Sequence, residues 1–526
     1  MTRQQNASWH ITKPALSSDA GIIAAQSRVA ATAGARILAR GGNAVDAAIA
    51  TSFALGAAEP WMSGMGGGGY MVVRMADDPA PKVIEFGMRA PKGLRIEDYP
   101  IVGGKAGDLF PWPAVKDDAN VFGARAVAVP GNVAGMGLAH ETFATMDWAT
   151  LLAPAITLAT DGLPVDWYAQ LILAGSAPDL AAFPASAETF LDAGGYLKAM
   201  DWTALGDTRC DLNRLAASLR TVAENGPRAF YDGPLADSII ADLQAAGGRH
   251  AIEDLQSYRA TLTSASEHSY RGHRVFGAPR LTAGPTLNHA LDLLTEWHPD
   301  GTKPDATAYA AYDAALRTAN AARYETMGDT DHEPDPSCTS HFNVVDAAGN
   351  MVAVTQTLLS IFGSRLMLPT SGILMNNGIM WFDPESGKAN SIAPDKRCLT
   401  NMCPTLLERS DGARFALGAS GGRKILPSVA QLTSFLLDYG MDLDAALHTP
   451  RIDSSLAEAT IVDDSMPAPV LSELQEMLGA MVPAPRTIYP LHFACPSAVS
   501  RTGTRNAGAT EVTAPWADAV AAADPA

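Results

Sequence analysis

The sequence predicts an α/β protein in which two β-sheets pack face to face between layers of helices. Strand patterns flanked by helical ones occur in both halves of the chain, and a sheet buries its apolar face only against another sheet or a helical layer. The firmest strand signal is a hairpin, with Phe342, Val344 and Val345 on one arm and Val352, Val354 and Thr355 on the other, joined by a turn at 347–350. The helical signals include a segment that is apolar on nearly every side and therefore fit for burial. Apolar residues, 47% of 526, suffice for a sizeable core.

In chain order, residues 1–20 are polar and read as a surface arm. Val29, Ala33, Ile37 and Leu38 recur at helical spacing through Arg40, and Gly41 with Gly42 is a fitting stop. Asn43 can cap a second, alanine-rich helix that runs to about Ala58. The glycine run 64–69, interrupted by Met65, precedes a strand at Tyr70–Arg74. A phosphate-cradling loop needs a strand before it and a helix after it; here the order is helix, loop, strand, so these glycines are read as points of close backbone approach or unusual φ. Phe110 to Pro113 reads as a surface loop near the site. Residues 150–330 are mainly helical in pattern, with Asp254, Leu255 and Tyr258 in a short helix and a strand at Arg274–Phe276. A helix from Thr302 to Arg323 leads through Thr326–Asp335 to the hairpin. Beyond it, Gly372–Met375 and Arg414–Leu417 read as strands. Arg423–Tyr439 reads as a helix with Val429, Leu432, Phe435 and Leu436 inward. The last dozen residues, rich in Ala and Asp, are expected to be disordered.

A formal net charge of −18 repels nucleic acid and anionic membranes, so neither is expected as a partner. The N-terminus lacks the basic start and apolar run of a secretory signal. No stretch of about 20 uncharged apolar residues suggests a membrane span. The five cysteines, Cys210, Cys338, Cys398, Cys403 and Cys495, are odd in number and scattered. A reducing, cytoplasmic compartment fits them best. Cys398 and Cys403 are too far apart for a CxxC metal clip, and His332 and His341 lack supporting cysteines. No metal or cofactor is expected.

Thr339 stands just before the first arm of the hairpin. A Thr hydroxyl needs a base within reach to act as nucleophile, and one source is its own α-amine, freed by cutting the preceding bond. Such an amine titrates at about 7.7–8.0, near the working pH of a general base. A cut between Cys338 and Thr339 would create this end; alternatively, the Thr merely opens an ordinary strand.

The segment 339–346 resembles the start of the small subunit of the γ-glutamyltransferases, N-terminal-nucleophile hydrolases that cleave themselves. The likeness continues, in order, through Gly41–Ala48, Gly66–Tyr70, Val129–Gly135, Glu224–Tyr231, Tyr270–Gly272, Phe362–Gly363, Ser371–Asn377, Met402–Thr405 and Gly418–Gly422. The resemblance implies an αββα sandwich built from a large subunit, 1–338, and a catalytic small subunit, 339–526. It further implies a small-molecule amide substrate and a water or amine acceptor, and leaves open whether two such heterodimers pair. It gives Thr339 as nucleophile, Thr357 as the hydroxyl that orients it, and Gly421 and Gly422 as the oxyanion hole. The glycine pair falls at a strand-to-helix junction, where free amides favour a developing negative charge. The connector before Thr339 is shorter than in the family members it resembles.

The residues that grip the γ-glutamyl group depart from the family's pattern. Gly87 stands where an Arg binds the substrate carboxylate, with Arg89 two positions on. Leu359 replaces an Asn, Gly378, which follows Asn377, replaces an acidic or amide residue, and Trp381 replaces the Asp that binds the α-amine. Thr400 and Asn401 take the place of two serines. These exchanges imply kept acyl-transfer machinery with altered acyl specificity. Two rivals remain at this level. Gly418–Gly422 satisfies G-x-S-x-G, with Ser420 as nucleophile and Asp453 and His492 downstream, as in an α/β-hydrolase. An uncleaved binding protein that inherited the fold is the other.

Overall fold

The structure, a computed structural model, describes residues 11–105, 112–199, 203, 206–329, 340–455 and 458–522. Fourteen of its strands form the two large sheets. They are β1 (Leu16–Ser18), β2 (Ile22–Ala25), β3 (Gly68–Arg74), β4 (Lys82–Phe86), β5 (Thr261–Ser264), β6 (Ser266–Tyr270) and β7 (His273–Gly277), then β8 (Ser340–Val345), β9 (Met351–Thr357), β10 (Thr405–Glu408), β11 (Arg414–Ser420), β12 (Cys495–Thr502), β13 (Arg505–Thr510) and β14 (Asp518–Ala521). One sheet runs β14-β2-β8-β9-β3-β4-β5 and the other β1-β13-β12-β11-β10-β7-β6. Every neighbouring pair in both is antiparallel.

Period-two alternation sorts the side chains into layers. In the first sheet Met71, Val73, Phe342, Val344, Val352 and Val354 pack against helices α1 (Arg28–Ala39) and α2 (Ala44–Ala58). Their alternates Tyr70, Val72, Val345, Met351 and Ala353 meet Phe276, Leu406, Ala416 and Val499 of the second sheet. The outer face of that sheet, with Val275, Leu407, Phe415 and Leu417, is covered by α3 (Gly284–Leu294), α4 (Ala306–Thr326) and α5 (Ile425–Leu437). The result is the expected order of helices, sheet, sheet, helices. A one-residue slip of β8 would turn Phe342 and Val344 out of the helix-side core, at about 1.5–3 kcal/mol each. The pairing of Ser340 with Gln356 is therefore strongly specified.

Local chemistry sets the helix that backs this hairpin. The Asn43 side chain accepts from the N–H groups of Val45 and Asp46, and Asp46 accepts from the Asn43 N–H at 2.8 Å, closing a capping box. Asp46 also holds the Thr145 hydroxyl at 2.6 Å.

Several expectations need correction. Gly372–Met375 is not a strand: a single bridge joins Leu374 to Met367, and the segment instead lends its carbonyls to neighbouring turns. Tyr258 lies just beyond its short helix, Ile252–Gln256. Part of the polar arm at 1–20 is strand β1, paired to β13. Of the last dozen residues, 515–522 are described and not disordered, because β14 pairs with β2 and the Trp516 ring lies 5.2 Å from that of Trp61. Pro113–Val115 pairs with Ile101–Lys105, whereas Phe110 lies outside the described residues. Among the described residues no helix is long and apolar enough to cross a membrane.

Candidate active site

Cys338 and Thr339 lie outside the described residues. Ser340, bonded to residue 339, opens β8 opposite Gln356, so the chain enters the sheet beside the end of β9 where Thr357 stands. Thr357 is wholly buried, and its Oγ1 accepts the Leu359 N–H at 2.7 Å. The glycine run explains how this end can be so crowded. A Cβ on Gly67 would lie 2.1 Å from the Thr357 carbonyl oxygen, and one on Gly69 2.2 Å from that of Thr355. These glycines permit close backbone approach, as their position before β3 suggested.

After Thr357 the chain turns under strain. Leu359 has φ 85° and Phe362 φ 60°, a region that Asn tolerates and Leu occupies at about 1–2 kcal/mol. The strained turn is fastened at both ends: Leu358 N–H donates to the Met62 carbonyl at 2.9 Å, and Ser360 N–H to Asn377 Oδ1 at 3.0 Å. Asn377 Nδ2 donates back to Ser360 Oγ at 2.8 Å. Asn377 is thus brought to the Thr357 loop, and non-Gly residues held at positive φ gather where function constrains the backbone.

The turn at Gly421 and Gly422 joins β11 to α5 through one short 3₁₀ turn. Both glycines have positive φ, 125° and 66°. Ser420 Oγ accepts from Gln26 Nε2, and Gln26 Oε1 accepts the His341 N–H at 3.2 Å. Asn401 Nδ2 donates to the Gly422 carbonyl. Gln26 therefore ties the start of β8 in one sheet to the glycine turn in the other. Sequence reasoning missed it, since nothing in residues 20–30 signals a bond to positions more than 300 residues away.

The candidate specificity residues divide into two groups. Leu359 and Trp381 share one buried cluster with Tyr70, Met88 and Met402. The Trp381 Nε1–H has no hydrogen-bond partner among the described residues although the side chain is fully buried. Thr400 is tied to Leu281, its Oγ1 donating to that carbonyl at 3.1 Å, and Tyr70 Oη donates to the same oxygen at 3.3 Å. Gly378 contributes backbone alone, because a Cβ there would lie 2.8 Å from that of Ala128. Arg89 belongs to the other group: its guanidinium bonds Ser257 Oγ at 2.9 Å and pairs with Asp395 at 3.3 Å. At Gly87 the space for a side chain is taken by Tyr70, whose Oη would stand 2.9 Å from a Cβ.

Electrostatics narrows the choice of nucleophile. Cys210, Cys398, Cys403 and Cys495 are buried free thiols. Burial raises all four, Cys403 and Cys495 to about 12, so none supplies a thiolate at neutrality. His341 is fully buried, bonded to Thr355 Oγ1 at 2.8 Å and Asn343 Oδ1 at 3.0 Å. Burial pushes it down to about 3, so it is neutral. The Ser420 hydrolase alternative fails on topology. β11 is antiparallel to both neighbours, whereas a nucleophile elbow tops a parallel, doubly wound sheet. Asp453, moreover, bonds Ser455.

Comparison with known proteins bears on the family and the fold. The model of the gamma-glutamyltranspeptidase family matches residues 30–337 and 330–520. The chain is 33% identical to the acylase ACY 1 proenzyme of Pseudomonas sp. (strain SE83), covering 84% of this chain and 83% of that one. It is 29% identical to the glutathione hydrolase proenzyme of Bacillus subtilis (strain 168), covering 87% and 84%. Its fold is that of the cephalosporin acylase from Bacillus halodurans, with a TM-score of 0.84 at 23% identity and 99% of both chains covered.

Proposed function

The chain belongs to the gamma-glutamyltranspeptidase family, and from that premise we propose that it cleaves itself before Thr339 and then hydrolyses or transfers the acyl group of a small amide. The parts are a large subunit, 1–338, and a small one, 339–526. Thr339 Oγ attacks the amide carbonyl while its α-amine takes the hydroxyl proton and passes it to the leaving amine. Water or an acceptor amine then attacks the ester and frees the acyl group. Thr357 orients the nucleophile, and the amides of Gly421 and Gly422 receive the oxyanion, a donor there being worth about 2.7–4 kcal/mol. The observation that supports this reading is the Gln26 link from His341, near the start of β8, to Ser420, the residue before the glycine pair. The four described cysteines, free and buried, support a cytoplasmic location.

The acyl pocket favours a group unlike a standard γ-glutamyl. Leu359 and Trp381 offer no carboxylate to an α-amine, and Tyr70 fills the space at Gly87. A free ammonium placed here would lose a charge-assisted contact of about 1.5–3 kcal/mol, while the unpartnered Trp381 N–H suits an acceptor on the acyl chain. The alternative within the family is therefore an acylase on amides that are not γ-glutamyl. A panel of anilides tests both readings on the processed enzyme. Higher kcat/KM for acyl groups without the α-amine than for γ-glutamyl is expected; a preference for γ-glutamyl anilide contradicts the altered specificity, and full turnover by Thr339→Ala contradicts the mechanism.

A further inference from the structure

At the end of the sandwich remote from Thr357, the inner faces of the sheets carry arginines. Arg74 ends β3 on the face that holds Tyr70 and Val72, Arg274 shares the face of Phe276 on β7, and Arg414 that of Ala416 on β11. Period two therefore puts all three on the inner faces; Arg74 is enclosed there, while the Arg274 and Arg414 side chains stay 42% and 32% exposed at the mouth of the gap. Arg74 pairs with Met351 while Gly68 pairs with Thr357. Six residues of strand, roughly 20 Å, separate the two ends.

The ion pairs here leave one guanidinium over. Arg274 Nε pairs with Glu267 at 2.7 Å and its Nη1 with Glu408 at 2.9 Å. Arg414 Nε lies 3.5 Å from the other Glu408 oxygen. Two carboxylates thus serve two guanidiniums, and Arg74 has no ion pair among the described residues. It is only 6% exposed, and its Nε and Nη1 are buried with no hydrogen-bond partner there. Burial lowers its pKa, and the strongest charge acting on it is the like charge of Arg414, ahead of Glu408, Arg274 and lastly Asp78. A buried cation in this state is costly unless something neutralises it.

We propose that this end of the sandwich binds a small oxyanion, a phosphate or a carboxylate, held by Arg74 with Arg414 and Arg274. A guanidinium donates two parallel N–H bonds to such a group. The anion would fasten the two sheets together at the end that takes no part in the chemistry.

The test uses the full processed protein, dialysed into a buffer free of oxyanions and titrated calorimetrically with inorganic phosphate in one arm and succinate in the other. Saturable binding in either arm, with a higher melting temperature, is expected, and the arm that responds names the anion. Arg74→Gln and Arg414→Gln should each weaken binding about tenfold or more and leave amide turnover unchanged. Arg74→Met should melt above the wild type without the anion and below it at saturation. Binding in neither arm overturns the site, as does wild-type affinity in the Arg74 and Arg414 variants. Should one of the glutamine variants not fold, the other decides.

Discussion

At Gly421 the backbone takes φ 125°, and a Cβ would meet the Ala494 Cα at 3.0 Å. Alanine there must shift the turn that directs the amides at the proposed oxyanion. Gly421→Ala should lower kcat by about 10²–10³ with little change in KM; steady-state kinetics checks this, and an unaltered kcat would remove the turn from the mechanism. His341 supplies a pH test. Folded it is pushed down to about 3 from 6.5, so between these values the unfolded chain binds the extra proton and stability falls as pH drops from 6.5 toward 3. Chemical denaturation across that range should show a shallower acid loss in His341→Gln than in the wild type. A motif marks Thr357 and Gly421 in the sequence, and the proposal rests on them. Gln26 and the Tyr70 phenol at Gly87 were not legible there, because their roles are set by partners distant in the chain.

At the scale of elements, β14 decides how the first sheet ends. It covers the outer edge of β2, and Arg28 pairs with Asp518 at 2.5 Å while Trp516 Nε1 donates to Asp166 at 2.7 Å. Deleting residues from Trp516 onward bares that edge and strips Trp61 of one ring neighbour, leaving Phe362. A loss on the order of 3 kcal/mol is expected, seen as a lower melting temperature; an unchanged melting temperature would mean that the strand adds nothing. An Ala- and Asp-rich tail looks disordered by composition, yet strand pairing and one Trp outweigh that signal. The hairpin β8–β9 and helices α1 and α2 were readable because period, cap and turn agree locally. Gly372–Met375 misled for the opposite reason: four apolar and small residues fit a strand, but their backbone groups are taken by the turns at Ser364, Leu366 and Leu368.

For the molecule as a whole, the two sheets bring together residues from both proposed subunits. Gln26 and the glycines of β3 come from the large one, and Thr357, Asn401 and the 420–422 turn from the small one. Strands of the two pieces pair with one another inside each sheet, as β2-β8 and β9-β3 do in the first and β1-β13 and β10-β7 in the second, so a cut before Thr339 would leave two chains that remain interlocked. The layer order followed from patterning; the wedding of distant segments at the site came from topology, which no single stretch of sequence carries. The most direct measurement is intact mass with N-terminal sequencing of the purified protein. Two chains, the smaller beginning Thr-Ser-His-Phe, are predicted, together with one uncut, inactive chain for Thr339→Ala. A single uncut chain that turns over amides would contradict the account.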